Sequence, residues 1–282
     1  VYTLEFPEEK IAGWVYPRVG SDGMAGGIFC AFGDGVKGGA IFETFQDVPV
    51  PDTMDFTDWK AGGCEVKLGE PLRTAHVKYS GQRLSYEFDF EGMHPAYSYD
   101  SHPDLCPKYF ADNRFEQGGR IKGTMTIDGR TVKLDTIAQR DHSWGARNWQ
   151  VNYHYKWFHA TTPDSAVHFF KMEYLGRSQT RGYVFRDGHM SQIKEVNVLD
   201  FTLDKDMIHR DIDVIIHDIA GRATRVSGKH FAHQPLPVDA INILNEVAMT
   251  IEIEGKAGVG WCEMYWDSRY LDHMKQFPDI RR

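Results

Sequence analysis

The sequence predicts an all-β protein with little helix, arranged as two antiparallel β units. Three observations predict it. Alternating runs recur, as in Leu84, Tyr86, Phe88 and Phe90 against Ser85, Glu87, Asp89 and Glu91, and period two marks a strand with one dry and one wet face. Asp128-Gly129, Asp187-Gly188 and Ala220-Gly221 punctuate such runs as hairpin turns. Helical spacing is scarce. Many short strands with regular turns imply sandwiches or barrels.

Taken in order, the chain begins with a glycine-rich stretch, residues 20–41, around the apolar run Ile28-Phe29-Cys30-Ala31-Phe32. That run reads as a strand between turns, and neither G-x-G-x-x-G nor G-x-x-x-x-G-K-[ST] is present to cradle a phosphate. Residues 41–60, with Pro49, Pro51 and many acids, read as an irregular connection. Residues 93–113, rich in His, Pro, Tyr and Asp, read as a long loop, a length often reserved for function such as a lid. Arg120–Ile127 and Thr131–Leu134 flank the Asp128-Gly129 turn. Val151–Thr161, Asp211–His217, Met249–Glu254 and Gly260–Trp266 are further strands. Pro237–Val247 is the best helix candidate, with Ala240, Ile243, Leu244 and Val247 near helical spacing. The division falls near residue 150, giving an N-terminal β domain over 1–150 and a C-terminal one over 151–282.

Composition narrows the partners. Apolar residues are 41% and charged residues 26% of the 282, as expected of a globular chain. A net charge of −8 argues against nucleic acid or an anionic membrane surface as the main partner. No apolar run reaches the roughly 18 residues of a membrane span, so no stable insertion is expected. The N-terminus lacks the pattern of a signal peptide. The four cysteines form no C-x-x-C, so they read as reduced thiols of a cytoplasmic protein. The 13 histidines form no H-x-H or H-E-x-x-H, and no metal site is expected. Aromatic residues, at 13%, are the one excess, enough for a large core or the lining of an apolar pocket. Nothing fixes the oligomeric state.

The densest chemistry lies in Arg140-Asp141-His142-Ser143-Trp144-Gly145-Ala146-Arg147-Asn148-Trp149. Asp141 and His142 are adjacent, so in extended backbone they face opposite ways and enter one pocket only through a bend, which Gly145 allows. An Asp141 carboxyl among indoles would be pushed up toward a working acid; paired with Arg140 or Arg147 it would instead be a buried clasp. Tyr153, Tyr155, Trp157 and His159 share one strand face and suit the inside of a barrel with partners or a ligand. Glu263 shares a face with Trp261 and Tyr265, either solvated or as a second acid in a cavity.

Asp141-His142-Ser143-Trp144-Gly145, with Glu116-Gln117 before a glycine-rich hairpin, resembles the D-H-x-W-G signature of the carotenoid 1,2-hydratase-like proteins. These share a lipocalin-like fold with the AttH-type proteins, the kievitone hydratase group and certain fungal cyclases, and this chain is similar to a bacterial branch. The resemblance implies two lipocalin-like β-barrels or sandwiches side by side, with a hydrophobic pocket. It implies chemistry without a cofactor: a lyase or isomerase that hydrates, dehydrates or cyclises a terpenoid, polyketide or phenolic small molecule. The family's proton-handling Asp and His fall on Asp141 and His142, with Tyr153 to take a proton or position water. Trp144 would border the substrate, with Arg147, Tyr155, Trp157, His159, Trp261, Glu263 and Tyr265 as further substrate-binding residues. The alternative is a non-catalytic carrier of a hydrophobic ligand in the same pocket.

Overall fold

The computed structural model describes residues 1–277 and 279. Eleven strands form the first sheet: β1 Tyr2–Phe6, β2 Ile11–Val19, β3 Met24–Phe32, β4 Ile41–Pro49, β5 Asp58–Ala61, β6 Cys64–Leu68, β7 Thr74–Ser80, β8 Leu84–Gly92, β9 Tyr97–Ser98, β10 Asn113–Ile127 and β11 Arg130–Trp144. Their order is β4-β3-β2-β1-β11-β10-β8-β7-β6-β5, with β9 against β10. Eight more close into a barrel in sequence order: β12 His154–Thr161, β13 Ala166–Tyr174, β14 Arg177–Arg186, β15 His189–Leu203, β16 His209–Asp218, β17 Ala223–Pro237, β18 Asn242–Ile253 and β19 Lys256–Asp267. Helix α1, Ser268–Met274, follows, its first turn capped by the Asp267 carboxylate. The predicted all-β class is observed, and every named pairing between neighbouring strands is antiparallel. Among the described residues no helix is long and apolar enough to cross a membrane.

The chain divides into two compact units, Val1–Ala96 with Gln117–Asp141, and Tyr97–Glu116 with the residues from His142 on. In the first, the alternation in β8 buries Leu84, Tyr86, Phe88 and Phe90, as the sequence predicts. At the β10–β11 hairpin Asp128 (φ 47°) and Gly129 (φ 79°) both adopt positive φ, the geometry of the tight turn that suits strand twist. The four cysteines are buried and form no disulfide with one another.

Two expectations from the sequence fail. Residues 41–49 are not an irregular connection but the edge strand β4, whose polar, largely exposed residues suit a sheet edge and which ends at Pro49. Pro237–Val247 is not a helix. It is the end of β17, a turn, and the start of β18. From Leu244 to Met249 β18 is buried on both faces, so its apolar run lacks the alternation that would identify a strand.

In the second unit one apolar cluster draws on all eight barrel strands: Phe158 and Ala160, Val167 and Phe169, Val184, Ile193, Val214 and Ile216, Val226, Val247 and Met249, and Cys262 and Met264. Only in the lumen can side chains from all eight strands meet in one cluster, so these residues define its inside. Residues of opposite parity on the same strands face outward.

Candidate functional site

The aromatic strip of the sequence lies on that outer face, not in the lumen. Register places Met172, Tyr155, Tyr265 and Leu244 in one row across β13, β12, β19 and β18. Phe170, Trp157, Glu263 and Glu246 form the next row, and His168, His159, Trp261 and Ala248 the third. Paired positions project to the same side of a sheet. The strip is nevertheless buried: Tyr155, Trp261 and Tyr265 are each 1% exposed, and His159 and His168 not at all.

Part of its cover is the segment 97–116, the long loop of the sequence with β9 and the start of β10. Phe110 packs edge-on to Phe170 with centroids 4.8 Å apart. The Arg181 guanidinium donates to the Leu105 carbonyl at 2.7 Å, and Tyr109 donates to Gln179 at 3.3 Å. Glu116 enters at the centre of this cover. Its Oε1 accepts from Arg114 Nε at 2.6 Å and from Trp157 Nε1 at 2.8 Å, with His168 Nε2 at 3.3 Å and the Tyr99 hydroxyl at 3.4 Å. Tyr99 in turn lies 2.9 Å from His168 Nε2. The Arg114 guanidinium sits 5.5–5.8 Å from the ring centres of Phe110, Trp157 and Phe170. Burial, then the Arg114 charge, holds His168 well below its usual value, so the ring is neutral.

A second carboxyl centre lies one strand over. Tyr155 donates to Glu263, and Trp261 Nε1 donates to Glu246 Oε2 at 2.7 Å. Burial first, then the charge of Glu263 and a hydrogen bond to it, pushes the Glu246 carboxyl well above the usual range. Two carboxyls in direct contact cannot both ionise cheaply, so the Glu263 charge adds to burial in favouring a protonated Glu246. Burial and the Glu263 charge also raise the Tyr155 phenol. Tyr265 stacks on Tyr155 at 5.1 Å, and burial pushes its phenol up to about 12.

A groove of ≈ 730 Å³ opens at the Tyr265 end of the strip, lined by Asn152, Tyr153, Glu173, Arg177, Ile241 and Tyr265 among others. Its size is that of a small-molecule site. Tyr153 is 62% exposed at this groove.

The D-H-S-W-G motif is the end of β11 and the turn beyond it. Asp141 is buried, and its backbone pairs with Val1 in both directions, at 2.9 and 3.0 Å. His142 stacks on Phe115 at 5.5 Å and meets the edge of Trp144, which is itself 47% exposed. Arg140 donates to Gln117 at 2.9 Å and lies over Phe90, in the first unit. Arg147 brackets the turn, donating to Ser143 at 2.9 Å and to the Phe110 carbonyl at 3.1 Å, with its guanidinium 4.2 Å over Phe110. Gly145 has φ 95°, and a Cβ there would come within 2.6 Å of the Asp112 backbone nitrogen. Gly145→Ala is therefore expected to cost roughly 1–3 kcal/mol, read as a lower melting temperature. An unchanged melting temperature would show that the turn does not need glycine.

Of the residues singled out in sequence, Tyr155, Trp157, His159, Trp261, Glu263 and Tyr265 come together on the strip. Trp144, Arg147 and His142 gather at the motif turn, Tyr153 lines the groove, and Asp141 belongs to the other unit. Arg114, His168, Tyr99 and Glu246 were missed, and Glu116 was noted without a role. The one available signal was Glu116-Gln117, a carboxylate entering a glycine-rich strand. Among the described residues no group of three or more His, Cys, Asp or Glu is placed to hold a metal ion.

Strand order, closed barrel and an aromatic face carrying two carboxyl centres define an all-β protein of the lipocalin-like kind. The chain belongs to the family described as a domain of unknown function, DUF7064, which matches residues 1–268. No curated protein matches the sequence. Solved structures share the fold. A Nitrosomonas europaea protein assigned as AttH is 13% identical with a TM-score of 0.56, and the match covers 90% of each chain. CghA crystallised with Sch210972 is 10% identical with a TM-score of 0.56, covering 92% of this chain and 89% of that one. CghA alone gives 0.54 at 10% identity, over 92% and 88%. At this identity the likeness is one of fold.

Proposed function

We propose that the protein is a cofactor-independent enzyme of the hydratase, dehydratase or cyclase type, acting by acid–base chemistry on a hydrophobic terpenoid, polyketide or phenolic molecule. The observation that carries this reading is the Glu246–Glu263 pair beside indoles and phenols. One carboxyl of such a pair is an acid and the other a base, the two groups that addition or loss of water requires. The protonated member gives its proton to an alkene carbon or a leaving hydroxyl. The ionised member takes the proton from the attacking water or from the carbon next to the cation. Aromatic faces stabilise the positive charge that develops between these steps. Glu116 and Arg114 position Trp157 and His168, and Tyr153 orients the substrate at the groove.

Under this reading the carboxyl pair takes the acid role expected of Asp141, and Asp141 and His142 support the strand end. A carrier has no use for a buried carboxyl pair, since burying acids costs stability without aiding apolar binding. CghA in complex with Sch210972 supports a fold of this kind holding a small molecule.

The test is to extract hydrophobic molecules that copurify with the protein, return them to the protein in heavy water, and follow their masses. Deuterium gained with the parent and not with Glu246→Gln is the expected result. A bound molecule recovered unchanged from both would make the protein a carrier.

A further inference from the structure

The lumen side of the same sheet carries a polar group that the outer-face site does not use. Lys156 lies between Tyr155 and Trp157 on β12, so its side chain shares the parity of Phe158 and Ala160, which face the lumen. Its neighbour across β19 is Met264 of the lumen cluster. The Nζ is 2.7 Å from His154 Nε2 and 5.8 Å from the centre of the Phe201 ring.

The state of His154 follows from its other nitrogen. Nδ1 lies 2.6 Å from the Tyr265 carbonyl oxygen. A carbonyl only accepts, so Nδ1 carries the hydrogen and Nε2 presents its lone pair to a Lys156 N–H. Trp266 covers the imidazole, with ring centres 3.8 Å apart, and fixes its orientation. Burial lowers His154 to about 3, which keeps it neutral, and burial also lowers the Lys156 amine below its usual value.

Among the charged groups around Lys156, the Glu173 carboxylate raises its amine and Lys171 lowers it, each by less than burial does. Lys171, its register partner on β13, is 3.9 Å from Glu173. His209 is held by the Cys262 carbonyl at 2.8 Å, and the Cys262 thiol is pushed up to about 12 by burial. The nearest hydrogen-bond partner of Lys156 is thus a neutral base, in a wall of Met264, Phe201 and Trp266. Burial lowers this amine while its hydrogen bond runs to a neutral imidazole rather than to a carboxylate, the direction that makes a lysine more nucleophilic.

We propose that Lys156 is a second reactive centre, an amine that captures a hydrophobic aldehyde or ketone as an imine, with His154 Nε2 accepting a hydrogen bond from the amine and so aiming its lone pair. The nitrogen lone pair adds to the carbonyl carbon while the C=O π pair moves to oxygen. The N–H proton of the adduct passes to that oxygen while His154 Nε2 holds the other amine hydrogen, giving a carbinolamine. Loss of the hydroxyl as water forms the C=N bond. Carbonyl and amine give imine and water, so no oxidant or reductant enters, and hydrolysis reverses the step. The proposal is independent of the outer-face reaction.

The test uses the full chain, decanal as the probe and cyanoborohydride to reduce the imine to a stable secondary amine near neutral pH. Peptide mass mapping then reads the decyl group on each lysine. Lys156 is expected to be labelled several-fold faster than the exposed Lys60, which is held as a cation partner by Glu65, whereas Lys156 is lowered by burial and bonded to a neutral imidazole. His154→Gln should slow Lys156 alone, and Lys156→Arg should remove that adduct. If Lys156→Arg does not fold, the comparison of Lys156 with Lys60 in the parent decides. Labelling of Lys156 no faster than Lys60 overturns the proposal, as does decanal that binds reversibly without an adduct.

Discussion

Glu116→Gln is expected to lower the stability of the second unit by about 3–5 kcal/mol, the usual cost of removing one partner of a buried ion pair. The substitution keeps the size of the side chain and an oxygen to accept from Trp157 Nε1. It removes only the charge. Arg114 then loses the carboxylate 2.6 Å from its Nε while remaining 6% exposed among aromatic rings. The rings attract a cation, but a contact of that kind is worth about 0.5–2 kcal/mol, less than the lost pair. For a unit of this size the loss corresponds to a fall of roughly 6–20 °C in melting temperature. Arg114→Met combined with Glu116→Gln should regain much of it, because the pair as a whole was costly to desolvate. Calorimetry of the parent, both single variants and the double variant reads this directly. A Glu116→Gln protein that melts within about 2 °C of the parent would show that Arg114 does not depend on this carboxylate.

How much of this was legible in the sequence depends on which range of contact set each feature. The hairpin at Asp128-Gly129 is local, set by two residues that tolerate positive φ, and it was readable. So was the shared face of Tyr155, Trp157 and His159, since period two states which side chains lie together, but Tyr153, expected on the same face, precedes β12 and is exposed. Period two does not state which face is the lumen. In β12 seven of eight residues are buried, so no exposed partner marks the outside. The strip was therefore read as interior when it is the covered exterior of the barrel. Glu246 is hidden for the same reason: β18 is buried on both faces, and the spacing of its apolar residues mimics a helix. Glu116 was hidden differently. Its partners Tyr99, Trp157 and His168 lie 17, 41 and 52 positions away in sequence, and only the fold assembles them. The residues of D-H-S-W-G are dense in sequence, and the structure places them at the end of β11 and in the turn beyond it.

Glu246→Gln is expected to remove a pH dependence of stability and, on the proposed function, most of the turnover. The sign follows from the direction of the shift. Glu246 is raised above its ordinary value of 4.5, chiefly by burial and then by the charge of Glu263. The folded chain therefore binds this proton more tightly than the unfolded chain. The stabilisation is complete below the ordinary value and is lost as pH rises through the raised one. Gln carries a neutral amide at every pH, so the variant should match the parent in acid and exceed it at higher pH. Buried histidines such as His168 and His154 are lowered, and their contribution runs the other way, lost as pH falls. They are common to both proteins and cancel in the difference. Denaturant unfolding across pH gives that difference without any substrate. Parallel curves for parent and variant would mean that Glu246 does not hold the proton. Catalysis adds a second reading of the same group. A general acid typically contributes about 10²–10⁴ in rate, so turnover of an identified substrate should fall by that factor in Glu246→Gln while binding survives. In the parent, turnover should fall as pH rises through the same raised value at which stability is lost. If the slope in stability disappears in the variant and turnover does not, the carboxyl pair is part of the architecture, and the acid must be sought elsewhere on the strip.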